Sequence, residues 1–379
     1  MTKNKIRLSK SVVGKQEAEA LSRVIFEDGY LGMGKEVQLF EQELQQFLRT
    51  NRQVVCVNSG TATLHLAVMA TTKPREEILV QSLTFLSTFQ AISAAGAIPV
   101  PCEVDPVTIT INLEDAETRV TDRTRAILPV HYASNPGNLE EIYRFAQKYN
   151  LRVIEDAAHA FGCYYNEKLI GSFGDVVCFS FDGIKNITSG EGGAVVTKDQ
   201  SVIQYVRDAR LLGIHKDSEK RYQGQRSWEF DVTHQGYRYH MSNLFAAIGR
   251  VQLQRFEKEF KPKRIEIAKK YRNALKDLPG VKFLESDLES IVPHIFPIRV
   301  LHEKRDSLHQ WLLTKNIEVG IHYKPNHLLS YYGGKKGLLP VTERLYQEIL
   351  SLPLHSDLKD KDVEYIIESV KQFFESKHR

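Results

Sequence analysis

Phe179-Ser180-Phe181-Asp182-Gly183-Ile184-Lys185-Asn186-Ile187-Thr188-Ser189-Gly190-Glu191-Gly192-Gly193 is the stretch that decides how the chain is read. The apolar run leading into it, Val176-Val177-Cys178-Phe179, reads as a short buried strand, and Ala194-Val195-Val196 reads as a second one. Between them stand polar residues, one lysine and a glycine-rich turn. A lysine held between buried strands suits covalent chemistry. Loss of solvation lowers the amine's pKa, so it can attack a carbonyl and form a Schiff base. The alternative is a surface lysine in an ordinary hairpin.

The segment upstream weighs against the hairpin. Val153-Ile154-Glu155-Asp156-Ala157-Ala158-His159 is an apolar strand ending in an acid, two small residues and a histidine. Acids at strand ends in α/β proteins stand where ligands bind, outside the carboxyl edge of the sheet. An enzyme using pyridoxal 5'-phosphate needs a lysine for the Schiff base and a carboxylate for the pyridinium nitrogen. Asp156 and Lys185 supply both on consecutive strand units. Taken alone, Asp156 could equally cap a helix at Ala157.

The rest of the chain alternates strand and helix. Strands are expected at Val54–Val57, Ile78–Val80, Ile98–Cys102 and Ala126–His131. Helices are expected at Lys15–Phe26, Val37–Leu48, from Thr61 to about Thr71, from Leu83 onward, at Leu139–Tyr149 and at Ser201–Leu212. This spacing argues for a largely parallel sheet with helices on both faces. Gly213–Trp228 is a long polar stretch, and a long helix is expected from about Asn243 to Tyr271. Beyond about Leu275 the pattern changes to strand at Val292–Val300, helix at Lys304–Lys315, strand at Val319–Tyr323 and helix at Asp360–Phe374. The expected division is a large cofactor-binding domain, residues 1–250, and a small α+β domain, residues 251–379.

Asn58-Ser59-Gly60-Thr61 joins a strand to a helix. Free amides and the helix dipole make such a turn an anion site, so Gly60 and Thr61 are assigned to a cofactor phosphate; simple capping by Ser59 or Thr61 is the competing reading. Phe85 can stack on a flat ring, or can be ordinary core.

Taken in order, several further motifs join these: Asn58-Ser59-Gly60-Thr61-Ala62-Thr63, Leu83-Thr84-Phe85, Pro129-Val130-His131, Glu155-Asp156-Ala157-Ala158-His159, Phe179-Ser180-Phe181, Lys185-Asn186, Gly190-Glu191-Gly192-Gly193, Met241-Ser242 and Leu352-Pro353-Leu354-His355. As a set they resemble the DegT/StrS group of fold-type I sugar aminotransferases over nearly the whole chain. The resemblance implies an α/β fold with a large, mostly parallel seven-stranded sheet. It implies pyridoxal 5'-phosphate on Lys185, Asp156 at the ring nitrogen, Phe85 on the ring, His159 packed near the ring's O3′ side, and Ser180 donating to the phosphate. It also implies a homodimer in which Arg238 reaches the partner's cofactor phosphate. Relatives with histidine in place of the lysine are dehydratases, and Lys185 argues against that activity here. The implied reaction moves an amino group, with L-glutamate as the donor the resemblance implies, to a nucleotide-linked keto-6-deoxyhexose with the ketone at C-4 or C-3, for a surface polysaccharide such as O-antigen. A cyclitol or antibiotic-sugar aminotransferase and a non-catalytic regulatory relative are the alternatives. Three departures stand out: Arg238 where relatives carry asparagine, Ser134 near a usual glycine, and Asp182-Gly183-Ile184 before the lysine. Ser134 is expected to change the path of its loop.

Composition agrees with a soluble globular protein: 42% hydrophobic and 26% charged in 379 residues. The net charge of +4 comes from interspersed basic and acidic residues, so no nucleic acid partner is expected. No apolar stretch is long enough to span a bilayer, and no membrane partner is expected. Cys56, Cys102, Cys163 and Cys178 lack metal or redox spacing. With a polar start lacking an apolar leader, they make a cytoplasmic location the expectation.

Overall fold

The computed structural model describes residues 5–375. Its framework is a seven-stranded sheet made of β1 (Gln53–Val57), β2 (Glu77–Gln81), β3 (Ile98–Cys102), β4 (Thr124–Leu128), β5 (Arg152–Asp156), β8 (Val176–Ser180) and β9 (Gly193–Thr197). The order across the sheet is β1-β9-β8-β5-β4-β2-β3. Every pairing is parallel except the two made by β9, which runs against β1 and β8. A two-stranded hairpin, β6 (Tyr164–Tyr165) and β7 (Lys168–Leu169), stands apart. A three-stranded antiparallel sheet, ordered β10 (Val281–Phe283), β11 (Phe296–Val300) and β12 (Ile349–Leu352), lies in the C-terminal third.

The large sheet is apolar on both faces because helices cover both. Side chains alternate between two cores with period two. Val54, Cys56, Leu79, Ile127, Val153, Val177 and Phe179 face one core, where the Lys35–Phe47 and Leu139–Tyr149 helices add Val37, Phe40, Leu44 and Ile142. Val55, Val57, Ile78, Val80, Leu128, Ile154 and Cys178 face the other. There the helices Gly60–Thr71, Leu86–Ala94 and Gln200–Ala209 add Leu64, Phe89 and Val206.

The α/β class and the seven-stranded sheet agree with the sequence reading. Several elements differ. The strand expected over 292–300 begins only at Phe296. Pro293 has no amide to donate, and the Val292 carbonyl accepts from Asn186 Nδ2 at 3.0 Å instead of from a strand. Val319–Tyr323 is not a strand at all. Gly320 makes one bridge to Ser351, and His322 and Tyr323, joined by a cis peptide bond, turn away toward the large sheet. The helix expected from Leu83 starts at Leu86. Residues 82–84 are taken up elsewhere: the Asn326 side-chain amide donates to the carbonyls of Ser82 and Thr84 at 3.2 and 2.9 Å.

The N-terminal helix is regular only over Lys15–Arg23 and closes in a wider π turn, Val24–Asp28. The long helix from Asn243 is interrupted by another π turn, Phe256–Phe260, between regular segments Asn243–Arg255 and Lys261–Leu275. The polar stretch after Gly213 contains a short helix, Asp217–Tyr222. Arg210, fully buried, donates to Glu41 Oε1 at 2.7 Å and to Tyr222 Oη at 2.6 Å, which ties that helix to the body.

Candidate active site

The carboxyl ends of β1, β2, β5 and β8 converge on one cavity of about 280 Å³, close to the lower bound of roughly 300 Å³ for small-molecule sites. Seven of the eight candidate residues line it: Gly60, Thr61, Phe85, Asp156, His159, Ser180 and Lys185. Arg238 does not; its side chain is exposed on the surface of its own chain.

Asp156 closes β5 and Ser180 closes β8, and the two strands are neighbours in register. That pairing, more than sequence spacing, brings the acid and the phosphate-side serine together. Asp156 Oδ2 accepts from Thr88 Oγ1 at 2.8 Å, and Oδ1 accepts from the Ala158 amide at 3.2 Å. Burial pushes its carboxyl above the usual carboxylate range; these two hydrogen bonds and the charges of Lys185 and His131 oppose the rise. A cation against Asp156 would therefore be bound in a poorly solvated place, where the pair holds its proton strongly.

Lys185 lies half-buried on the loop after β8. Loss of solvation brings its amine down to about 8, with Arg264 acting in the same direction and Asp156 and Asp182 opposing. Its Nζ lies 3.4 Å from His294 Nε2. Burial holds both His294 and His159 neutral, so a ring nitrogen of His294 can accept from the amine. The rings of His159 and His294 are 4.5 Å apart, and Tyr323 Oη meets His159 Nε2 at 3.1 Å. Phe85 and Tyr323 face each other at 5.4 Å between centroids. Phe85 is 55% exposed, the position of a side chain at a mouth and not that of a core phenylalanine.

The opposite corner is built by backbone. Ser59 caps the Gly60–Thr71 helix: its Oγ accepts from the Ala62 amide and its carbonyl from the Thr63 amide. The amides of Gly60 and Thr61 are left for a ligand. A Cβ on Gly60 would stand 2.6 Å from Ser180 Cβ and 2.7 Å from its Oγ. The glycine is what allows the helix start and the serine to share one small cradle.

Ser134 sits where the backbone turns left-handed. Its φ is +73°, a conformation that favours glycine. The serine earns its place through its hydroxyl, which donates to the His159 carbonyl at 2.5 Å and accepts from the His294 amide at 2.9 Å.

Sequence reasoning missed Thr88, His294, His322 and Tyr323. All but Thr88 come from the C-terminal third, and none has a local pattern that marks it. Thr88 could have been found from its place one helical turn after Phe85.

A lysine, a buried carboxylate and an anion cradle around one cavity are what a pyridoxal phosphate site needs, and the residues present fit that cofactor. The description DegT/DnrJ/EryC1/StrS aminotransferase family matches residues 12–371, and the chain belongs to that family. It is 35% identical over 372 residues to the spore coat polysaccharide biosynthesis protein SpsC of Bacillus subtilis, covering 95% of each chain. Helicobacter pylori PseC, an aminotransferase involved in the biosynthesis of pseudoaminic acid, superposes with a TM-score of 0.90 at 27% identity, covering 99% of this chain and 100% of that one. The putative sugar aminotransferase Spr1654 of Streptococcus pneumoniae, in its pyridoxal phosphate form, superposes with a TM-score of 0.88 at 26% identity, covering 98% and 99%. The chain is a pyridoxal phosphate-dependent sugar aminotransferase.

Proposed function

We propose that this enzyme transfers an amino group from L-glutamate to a nucleotide-linked keto-6-deoxyhexose, at C-4 or C-3, for a surface polysaccharide. The observation that carries the reading is the placement of Lys185 and Asp156 on the walls of one cavity whose mouth is open beside Phe85. SpsC is named for spore coat polysaccharide biosynthesis and PseC for the biosynthesis of pseudoaminic acid, and the first supports a glycan precursor as acceptor.

Bound to Lys185, the cofactor supplies an electron sink for breaking a C–H bond beside nitrogen. Asp156 would hold the proton on the ring nitrogen, and the amides of Gly60 and Thr61 with the hydroxyl of Ser180 would hold the phosphate. Phe85 and His159 would pack against the ring and keep water from it. Lys185 is placed to act as base and then as acid, taking a proton from the donor carbon and giving it back. His294 would hold the amine in line. A panel of keto-sugar nucleotides with glutamate, read by mass spectrometry, tests the substrate; no product from any member overturns it.

We further propose a homodimer with shared sites. Arg238 is exposed and outside its own cavity, and its planar fork suits a phosphate across an interface. The division between residues 1–250 and 251–379 is proposed to lie just ahead of the π turn Phe256–Phe260, which separates a segment packed on the N-terminal helices from one packed on the Asp360–Glu375 helix. A cytoplasmic location is supported by four free, buried cysteines. Among the described residues no helix is long and apolar enough to cross a membrane.

A further inference from the structure

Arg264, on the helix Lys261–Leu275, is almost wholly buried, and among the described residues no carboxylate pairs with it. Every partner it has is a backbone carbonyl. Nη1 faces those of Pro293, His294 and Leu354 at 3.3, 3.2 and 3.5 Å, and Nη2 faces those of Ile184 and Lys185 at 3.5 Å each. These belong to three segments: the lysine loop after β8, the approach to β11 and the exit from β12. Nε has no partner. A guanidinium in this position does two things. It clamps the backbone on both sides of the Lys185–His294 contact, and it leaves an uncompensated positive charge behind the amine.

We propose that Arg264 is a positioning residue for Lys185, fixing the lysine and His294 in register and placing a fixed positive charge behind the amine. This rests on reading Lys185 as the cofactor lysine. The other groups facing the amine are known. Asp156 and Asp182 favour its protonated form, whereas His159, His294 and His322 are held neutral by burial. Tyr323 keeps its proton, and Glu191 stands at the exposed rim with its own carboxyl raised by burial and by Asp182. None of these supplies a fixed positive charge; Arg264 does, and its own pKa, brought down to about 10 by burial, still leaves it charged at neutral pH. Burial is the larger cause of the lowered amine, and Arg264 acts in the same direction.

The test is competitive labelling of the full-length, cofactor-free chain with fluorodinitrobenzene across a pH series, reading the Lys185 peptide by mass spectrometry. Wild type should show half-maximal reactivity near pH 8. Arg264→Met should move that midpoint up, so that Lys185 reactivity at pH 7.5 falls while other lysines are unchanged. Arg264→Lys keeps the cation and loses the fork; it should return the midpoint to the wild-type value while lowering kcat in the loaded enzyme. A wild-type midpoint at that of an ordinary lysine overturns the proposal without any variant. So does an unchanged midpoint in Arg264→Met, or an equal shift in Arg264→Met and Arg264→Lys. If Arg264→Met does not fold, wild type and Arg264→Lys decide. Borohydride reduction of the loaded enzyme, followed by peptide mapping, independently reports whether Lys185 carries the cofactor.

Discussion

Thr88 Oγ1 donates a 2.8 Å hydrogen bond to Asp156 Oδ2. Thr88 sits in the first turn of the helix Leu86–Ala94, directly behind Phe85, so the turn that presents an aromatic to the cavity also sets the angle of the acid below it. Thr88→Val keeps the shape and removes the donor. A hydrogen bond to a charged group contributes about 1.5–3 kcal/mol. The variant should therefore lose about tenfold or more in turnover while keeping its cofactor. Steady-state kinetics beside absorbance of the bound cofactor checks both, and full activity would show that Asp156 needs no such support.

Asp156→Asn should be more severe. Asparagine fills the same space but cannot hold a proton on the ring nitrogen. Losing about 3–4 kcal/mol of transition-state stabilisation slows the reaction by about a hundredfold or more. Cofactor content should change far less than rate. Near-normal turnover would mean that Asp156 does not face the ring.

Gly60→Ala places a methyl against Ser180 at distances that require something to move. Overpacking of this kind costs about 1–3 kcal/mol. Because the strain falls on the phosphate cradle, it should appear as weaker binding. Titration of cofactor-free protein with pyridoxal phosphate should give a dissociation constant raised about tenfold or more, with the secondary structure seen by circular dichroism retained. Unchanged affinity would place the phosphate elsewhere.

Lys185 in the cofactor-free protein titrates at about 8, against 10.5 for an ordinary lysine. Only the neutral amine attacks an aldehyde. The rate of cofactor capture should therefore rise with pH and level off above about 8, and at pH 7.5 it should exceed that of an ordinary lysine by about two hundredfold. The same shift affects stability with a fixed sign. The unfolded chain binds this proton more tightly, so the lowered pKa costs stability fully below about 8 and progressively less as pH rises toward 10.5. Stopped-flow absorbance across pH reads the first effect; a capture rate still climbing steeply at pH 10 would contradict it.

Lys185→Ala and Arg238→Ala should each be severely impaired, and refolding them together should restore about a quarter of wild-type activity. Half the dimers formed by random pairing are mixed, and each mixed dimer then holds one intact site. No recovery would place Arg238 in its own chain's site, and full activity of Arg238→Ala alone would remove it from the site.

What could be read from the sequence was whatever the chain keeps local. Asp156 and Ser180 each end a short apolar strand, Gly60 and Lys185 follow one within a few residues, and a strand end in a parallel sheet has a known destination. His294 and Tyr323 had no such marker. They reach the cavity from 109 and 164 residues beyond their partners Lys185 and His159. Val319-Gly320-Ile321-His322-Tyr323 was misread because it alternates as a strand does. Its backbone is instead diverted: Tyr132 Oη donates to the His322 carbonyl, and Gly320 alone remains paired with Ser351. Phe85 lines the cavity but stands before the helix and not within it, because the side chain of Asn326, far along the chain, holds residues 82–84 out of the helix.

The pairing of β1 has a consequence for the newborn chain. β1 is an edge strand whose single neighbour is β9, with Val57 opposite Gly193. A ribosome that has just released β1 must add a further 136 residues (193 − 57) before that neighbour even begins. At about 5–20 residues per second, this is a wait of roughly 7–27 seconds. Gly60 follows β1 directly, and its companion Ser180 ends β8, on the far side of β9. The phosphate cradle is thus among the last parts of the large sheet to be assembled during synthesis. Until then, one edge of the growing protein stays open to whatever else in the cell can lend it a strand.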